Sequence, residues 1–406
     1  MPFAWFVALR YLREGRAQTL LILAAVSVGV SVVVFLSALI GGLQQSLIDK
    51  TLGSQPHVTV RVQEEVARPL VTPPPGSAIA RAVQKAPQRL RSIDQWPAVM
   101  RTLEQVPGVI ATSPTVTGAG FAERGSAKRP VLLRGVDAER FSAIIDVRSR
   151  LTAGRFDLAG SSVVIGKVLA GDLGVSVGEK IRLVTSEGVD DTVTIAGVFE
   201  LGNKGVDATW VLTSLRQSQA LYALPGGVTT LEVKVSDVFE AERIATDIRG
   251  RVPLLAESWM TLNAELLAGL SAQSSSKVLI QFFVVLAVAL GIASVLIVSV
   301  VQKSREIGIL RAVGTPARRV LYVFLIQGGL LGLSGSFIGS AMGAGFALFF
   351  ARLAVDPSGA PRFPITLSAE LFVGATLLAT GVGLLAAVIP ARRAASMDPA
   401  SAIRHG

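Results

Sequence analysis

Gln302-Lys-Ser-Arg-Glu-Ile-Gly-Ile-Leu-Arg-Ala-Val-Gly-Thr-Pro-Ala-Arg-Arg-Val320 is the stretch whose reading decides the fold. It lies between two runs without a charged residue, Val278–Gln302 and Val320–Ala351, and sets Lys303, Arg305, Arg311, Arg318 and Arg319 against one acid, Glu306. Short loops dense in Lys and Arg stay on the cytoplasmic side of a membrane, so this loop orients the molecule. Inside it Ile307, Leu310, Ala312 and Val313 fall near helical spacing, and Gly314 and Pro316 follow as stop signals. The spacing predicts a short amphipathic helix between two spans. A basic loop of this length is ordinarily a topological anchor and nothing more. The rest of the chain decides whether this one is.

Working outward, two further uncharged runs occur, Ala17–Ile48 and Leu371–Ala391. The first is too long for the ~7–15-residue apolar core of a cleaved signal peptide, so it reads as an uncleaved anchor. The division that follows is a cytoplasmic amphipathic segment (1–17), a first span with an outward stalk (18–48) and an α+β extracytoplasmic domain (49–260). After it come a stalk with the second span (261–302), the cytoplasmic loop helix (303–319), the third span (320–351), an external loop (352–370), the fourth span (371–391) and a cytoplasmic tail (392–406). The fold class is thus a membrane protein with four transmembrane helices, N-in and C-in. All three short basic segments fall on one side in this arrangement.

Composition agrees with that division. Half of the 406 residues are apolar, mean hydropathy is +0.55 and 17% are charged, too apolar for a soluble protein and too charged for spans alone. The net charge of +10 is concentrated at the segments 1–17, 302–319 and 391–406, which hold eleven Lys and Arg against three acids. It is a topology signal and not a nucleic-acid footprint. The absence of Cys excludes disulfides and thiolate chemistry.

In the 49–260 segment, strand patterns occur at His57–Val62, Val131–Gly135, Ser162–Ile165, Lys180–Thr185, Thr192–Phe199, Ala208–Leu212 and Thr230–Val235. Helical patterns lie between them at Ile93–Gln105, Ala138–Ile145, Lys167–Leu173, Leu215–Leu221 and Val238–Arg249. Val71–Ser77 is a Pro-rich loop, followed by a basic segment, Arg81–Arg91. Helical spacing returns at Thr261–Ser276 and leads into the second span without a Pro.

The third span carries two rows of small residues at every fourth position: Gly328, Gly332, Ser336 and Ser340, and Gly335, Gly339 and Gly343. Small residues so spaced let helices approach closely, with this chain or a second copy as partner. None of the four runs contains an ionisable residue, which argues against an ion-coupled carrier. Gly160–Val168, the nearest string to a phosphate-binding loop, has one residue too many between its glycines and no Ser or Thr after Lys167. With His57 and His405 the only histidines and no nucleophile-elbow string, no catalytic constellation and no metal site is expected.

Arg305-Glu-Ile-Gly-Ile-Leu-Arg-Ala-Val-Gly314 resembles the segment between the second and third spans of the ABC transporter permeases that include the lipoprotein-releasing and macrolide-exporting systems. The layout fits that family over essentially the whole length. Pro130–Asp137 (P-V-L-L-R-G-V-D) and Trp259–Asn263 (W-x-x-L-N) look like the lipoprotein-releasing branch, and Pro390–Pro399 is similar to the tail of the wider family. The Pro-rich stretch at Pro73–Pro75 matches no branch. The resemblance implies a coupling helix containing Arg305, Glu306, Gly308, Leu310, Arg311 and Gly314 that docks on a dimer of a separate cytoplasmic ATPase. ATP and Mg belong to that partner, and this chain binds no cofactor. A second permease copy or paralogue, a hydrophobic or lipidated substrate and a periplasmic acceptor complete the implied partners, in a bacterial inner membrane. Two other readings stand beside it: a non-transporting regulatory relative of the division or signalling type, and export of macrolides or peptides. A membrane-anchored sensor without an ATPase is disfavoured by the 305–314 string.

Overall fold

The computed structural model describes residues 2–63, 90–353 and 365–397. The Pro-rich loop, most of the basic segment after it, Pro357, Pro361, Pro364, Pro399 and His405 lie outside the described residues. Two compact units form, one from residues 1–46 and 268–406, the other from 47–267.

The chain opens with α1 (Pro2–Glu14) and, after Gly15, α2 (Arg16–Leu52). At ~1.5 Å per residue α2 is about 55 Å long, well beyond a ~30 Å hydrocarbon core. Its sequence explains the length, since no Pro interrupts it and Asp49 and Lys50 extend it as an ordinary polar helix.

The second unit alternates short strands and helices. In order they are β1 (Val58–Arg61), α3 (Trp96–Glu104), β2 (Val109–Arg124), β3 (Ala127–Val136), α4 (Ala138–Ile144), β4 (Leu151–Gly154), β5 (Ser162–Gly166) and α5 (Lys167–Leu173). There follow β6 (Lys180–Thr185), β7 (Asp190–Phe199), α6 (Lys204–Thr209), β8 (Trp210–Ser214), α7 (Leu215–Leu221), β9 (Thr230–Val235), α8 (Ala241–Arg251), β10 (Leu255–Ser258) and α9 (Trp259–Leu262). The strands pair in the order β10-β1-β9-β2-β3-β8-β5-β7-β4, and β6 pairs with both β2 and β7. The hydrogen bonding therefore closes on itself through β2, β3, β8, β5, β7 and β6.

β2 is the strand that joins the two halves. Residues 109–115 pair with β9, and residues 120–123 turn the same edge to β6. Its other edge pairs with β3 from Thr115 to Arg124. Alternation along the strands sends Val131, Leu133, Val163, Ile165, Leu183, Val193 and Ile195 into one core that is continuous with Val58, Val60, Leu231, Val233, Ile244 and Trp259.

The last segment contains α10 (Ala264–Gln302), α11 (Ser304–Ala312), α12 (Ala317–Leu353) and α13 (Ala369–Ser396). α2, α10, α12 and α13 are each long and apolar enough to cross a membrane. The two rows of small residues on α12 face two different helices of this same chain. Gly328 and Gly332 meet α13, where a β-carbon on Gly332 would stand 2.5 Å from the Ala379 carbonyl oxygen. Gly335, Gly339 and Gly343 meet α2 at Val26, Ser27, Val30, Ser31 and Val34. Ser27 Oγ donates to the Gly335 carbonyl at 3.3 Å across that contact. α2 is also clasped to α10, with Gln44 Nε2 donating to Ser274 Oγ at 2.9 Å and Gln281 Nε2 to Ser37 Oγ at 2.7 Å. Close backbones and side-chain hydrogen bonds are what holds helices together where lipid removes the hydrophobic drive.

Candidate functional site

α11 is the helix that the basic loop foretold, and its two sides do different work. Ile307 and Gly308 are buried. Leu310 is half-buried and lines a crevice with Phe3, Val7 and Tyr11 of α1 and with Phe324 of α12. Ala4, Ala8 and Tyr11 complete the underside, while Phe3, Trp5, Phe6 and Leu9 of α1 stay exposed. That division suits a helix lying at a membrane surface.

Charged groups fix α11 at both ends. Lys303 Nζ donates to Glu14 Oε2 and to Glu306 Oε1, each at 2.7 Å, and Arg10 Nε donates to the other oxygen of Glu14 at 2.7 Å. Lys303 and Arg10 together hold the Glu14 carboxyl down at about 2. A carboxyl so lowered is ionised at every physiological pH, and the network would open only as pH fell below the ordinary carboxylate range. At the other end Arg311 donates to the carbonyls of Ala395 and Met397 at 2.6 and 2.7 Å, capping the last turn of α13. Gly314, at φ +95°, closes α11: Thr315 N–H bonds the Leu310 carbonyl and Gly314 N–H the Arg311 carbonyl, both at 3.0 Å. Only a left-handed residue completes that cap, hence the glycine.

The six residues singled out from the sequence thus separate. Arg305 and Glu306 are exposed, Gly308 is buried, Leu310 and Arg311 turn inward, and Gly314 is a cap. The outward side shows two apolar residues that the sequence reading left out of the site. Ile309 is 48% exposed and Val313 83% exposed, four positions apart and in line with Arg305. The signal was present in the spacing 305, 309, 313, which falls off the face set by Ile307 and Leu310.

In the second unit the W-x-x-L-N string is a junction. Trp259 is fully buried, its Nε1 donates to the Val238 carbonyl at 2.7 Å, and its backbone N–H donates to the His57 carbonyl at 2.8 Å. Ser258 caps α9, and Asn263 bonds the Trp259 carbonyl through Nδ2 at 2.7 Å just before α10 starts. Ile48, Leu52 and Leu267 pack on the same core, so the ends of α2 and α10 are both seated on it. P-V-L-L-R-G-V-D is β3 and its exit. Asp137 caps α4, and Arg134 forms a buried ion pair with Glu232 of β9, stacked 3.9 Å from the centre of the Trp210 ring.

Residues 19–251, more than half of the chain, match the MacB-like periplasmic core domain family, and residues 278–399 match the FtsX-like permease C-terminal family. The chain belongs to the MacB- and FtsX-like family of ABC transporter permeases. This permease is 24% identical to the lipoprotein-releasing system transmembrane protein LolC of Xylella fastidiosa (strain Temecula1), over 100% of this chain and 99% of that one. It is 22% identical to the protein of the same name from Neisseria meningitidis serogroup B, over 99% of each. To the macrolide export ATP-binding/permease protein MacB of Neisseria gonorrhoeae it is 32% identical over 114 residues, 28% of this chain and 17% of that one.

Proposed function

We propose that this permease is the transmembrane subunit of an ATP-driven exporter and that a separate cytoplasmic ATPase dimer docks on α11. The observation that carries the reading is the outward line of Arg305, Ile309 and Val313 on a helix held from behind. Two exposed apolar side chains beside an arginine, a residue type enriched at interfaces, suit burial under a partner. The backing by α1 and by the end of α13 makes α11 stiff enough to pass on a displacement. ATP and Mg are the partner's, since this chain carries no phosphate-binding loop. The basic segments support an N-in, C-in orientation in a bacterial inner membrane, with residues 49–260 in the periplasm. α2 and α10, unbroken and seated on the domain core, are then the route by which motion reaches that domain. The relatives aligned along the whole chain are named for lipoprotein release, which supports a lipidated or hydrophobic substrate, a second permease copy and a periplasmic acceptor.

The test is co-purification in mild detergent of the full chain with its ABC ATPase, wild type against Ile309→Glu/Val313→Glu. Both positions are exposed, so the variant folds. Two carboxylates placed in the docked apolar face lower the affinity roughly 30-fold or more, and the ATPase washes off. Equal retention by wild type and variant sinks the docking assignment. If no ATPase accompanies either, the transporter reading itself fails.

A further inference from the structure

α10 and α13 leave a trough at the basic end of the helical unit. Ile297, Val300 and Val301 form one wall, Pro390 and Met397 the other, and the space between is about 220 Å³. Arg393 is the one charged residue that lines it. Pro390, which gives up the hydrogen bond to the carbonyl four residues back, is one of the residues lining the gap. Val301 is 65% exposed beside it.

Two of the cations nearby in sequence are otherwise occupied. Lys303 holds Glu14 and Glu306, and Arg311 holds the end of α13. Arg393, by contrast, has no ion pair among the described residues, and the 391–397 segment contains Arg392 and Arg393 without an acid. An apolar trough lined by a guanidinium that has no ion pair among the described residues matches a molecule with a hydrocarbon tail and an anionic head. Basic pockets between spans at the cytoplasmic surface bind anionic lipid headgroups by this combination.

We propose that the trough seats an acyl chain of one anionic phospholipid, with its phosphate on Arg393. A zwitterionic lipid fits the apolar wall equally well but brings its own ammonium to a segment that is already basic, so the headgroup charge selects. The site shares no residue with the Arg305–Ile309–Val313 line, and lipid retention is read without the ATPase. Its failure and that of the docking assignment are therefore distinguishable.

The experiment is native mass spectrometry of the full chain extracted in mild detergent from vesicles of phosphatidylglycerol and phosphatidylcholine in equal parts. Wild type keeps one phosphatidylglycerol per chain in excess over phosphatidylcholine. Arg393→Gln lowers that retention about fivefold, the effect of one basic contact, while Arg393→Lys keeps it. Val301→Trp fills the trough and removes both lipids, whereas Arg392→Gln, outside the lining, changes nothing. Equal retention of the two lipids by wild type, or undiminished phosphatidylglycerol on Arg393→Gln, overturns the proposal in favour of unselective annular lipid. Loss of a dimer on Val301→Trp with an unchanged lipid count overturns it in favour of a second copy in the trough.

Discussion

Replacing Arg134 with Met destabilises the chain by about 3–5 kcal/mol at neutral pH and by much less near pH 4. Arg134 and Glu232 are 4% and 5% exposed at their side chains, on β3 and β9, the strands that flank β2. The guanidinium lies between the carboxylate and the rings of Trp210 and Phe141. The Thr115 hydroxyl on β2 faces the Glu232 carboxyl, and among the described residues the neighbouring Ser113 hydroxyl has no partner. Burial pushes the Glu232 carboxyl up, against the pull of Arg134. Without Arg134 only the upward push remains. A carboxyl raised above its unfolded value contributes stability that is complete below that value, about 4.3, and is lost as pH rises through the folded one. Hence the variant approaches wild type in acid and falls away from it as pH rises. Arg134→Met/Glu232→Leu recovers most of the loss at neutral pH, because removing both charges leaves nothing to desolvate. Thermal unfolding of the full chain in detergent, followed by tryptophan emission, gives the comparison directly. A loss equal at both pH values would mean that Arg134 acts by packing on Trp210 and not by charge.

This pair also marks where the sequence could be read and where it could not. Arg134 stood out as part of a string, but its partner Glu232 is 98 residues away and sits in a strand recognised only by its alternation. β6 and the first part of β7 were legible because they turn one face to the core, and β3, β5 and β9, which are buried on both faces, by their runs of β-branched and apolar residues. β2, the longest and the one that joins the halves, was not. Pro114, Gly118 and Gly120 interrupt its run of β-branched residues. The structure gives the glycines a reason. Tyr222 lies where a side chain on Gly118 would be, and Leu133 together with the Val184 carbonyl occupies the place of one on Gly120. The glycines admit the end of α7 and the adjoining strands β3 and β6, which no local pattern reveals. The Ala208–Leu212 strand starts at Trp210 instead, because Asn203 caps a turn of helix that runs through Thr209. Helical spacing was expected to resume at Thr261, yet α10 starts only at Ala264, after the separate turn anchored by Trp259. On α11 the helix was legible and its outward face was not. Arg305 and Glu306 drew attention by charge, whereas Ile309 and Val313 look like core until their neighbours are known.

Gly339→Leu abolishes the folded state of the helical unit, and Gly345→Leu on the same helix leaves it within about 0.5 kcal/mol of wild type. Both substitutions replace Gly by a better helix former in α12, so propensity favours both alike. Space separates them. A β-carbon on Gly339 would stand 2.5 Å from the Ser27 carbonyl oxygen and 2.7 Å from Val30 Cβ, neither of which can rotate aside. One on Gly345 would meet nothing within 4 Å. Overpacking ordinarily costs about 1–3 kcal/mol. Here the obstacle is the backbone of α2, and the helix has to move as a whole, breaking the Ser27–Gly335 hydrogen bond and the neighbouring contacts at Gly335 and Gly343. The chain has no cysteine, so a pair placed on α2 and α12 reports that separation without background. Phe35 and Phe350, with ring centres 6.1 Å apart, are suitable sites for Phe35→Cys/Phe350→Cys and a short bifunctional thiol reagent. The cross-link forms in the Gly345→Leu background and is lost with Gly339→Leu. Equal cross-linking in both would reduce the glycine row to the ordinary composition of a membrane helix, and the contact between α2 and α12 would then rest on side chains such as Val26, Val30, Val34 and Phe35.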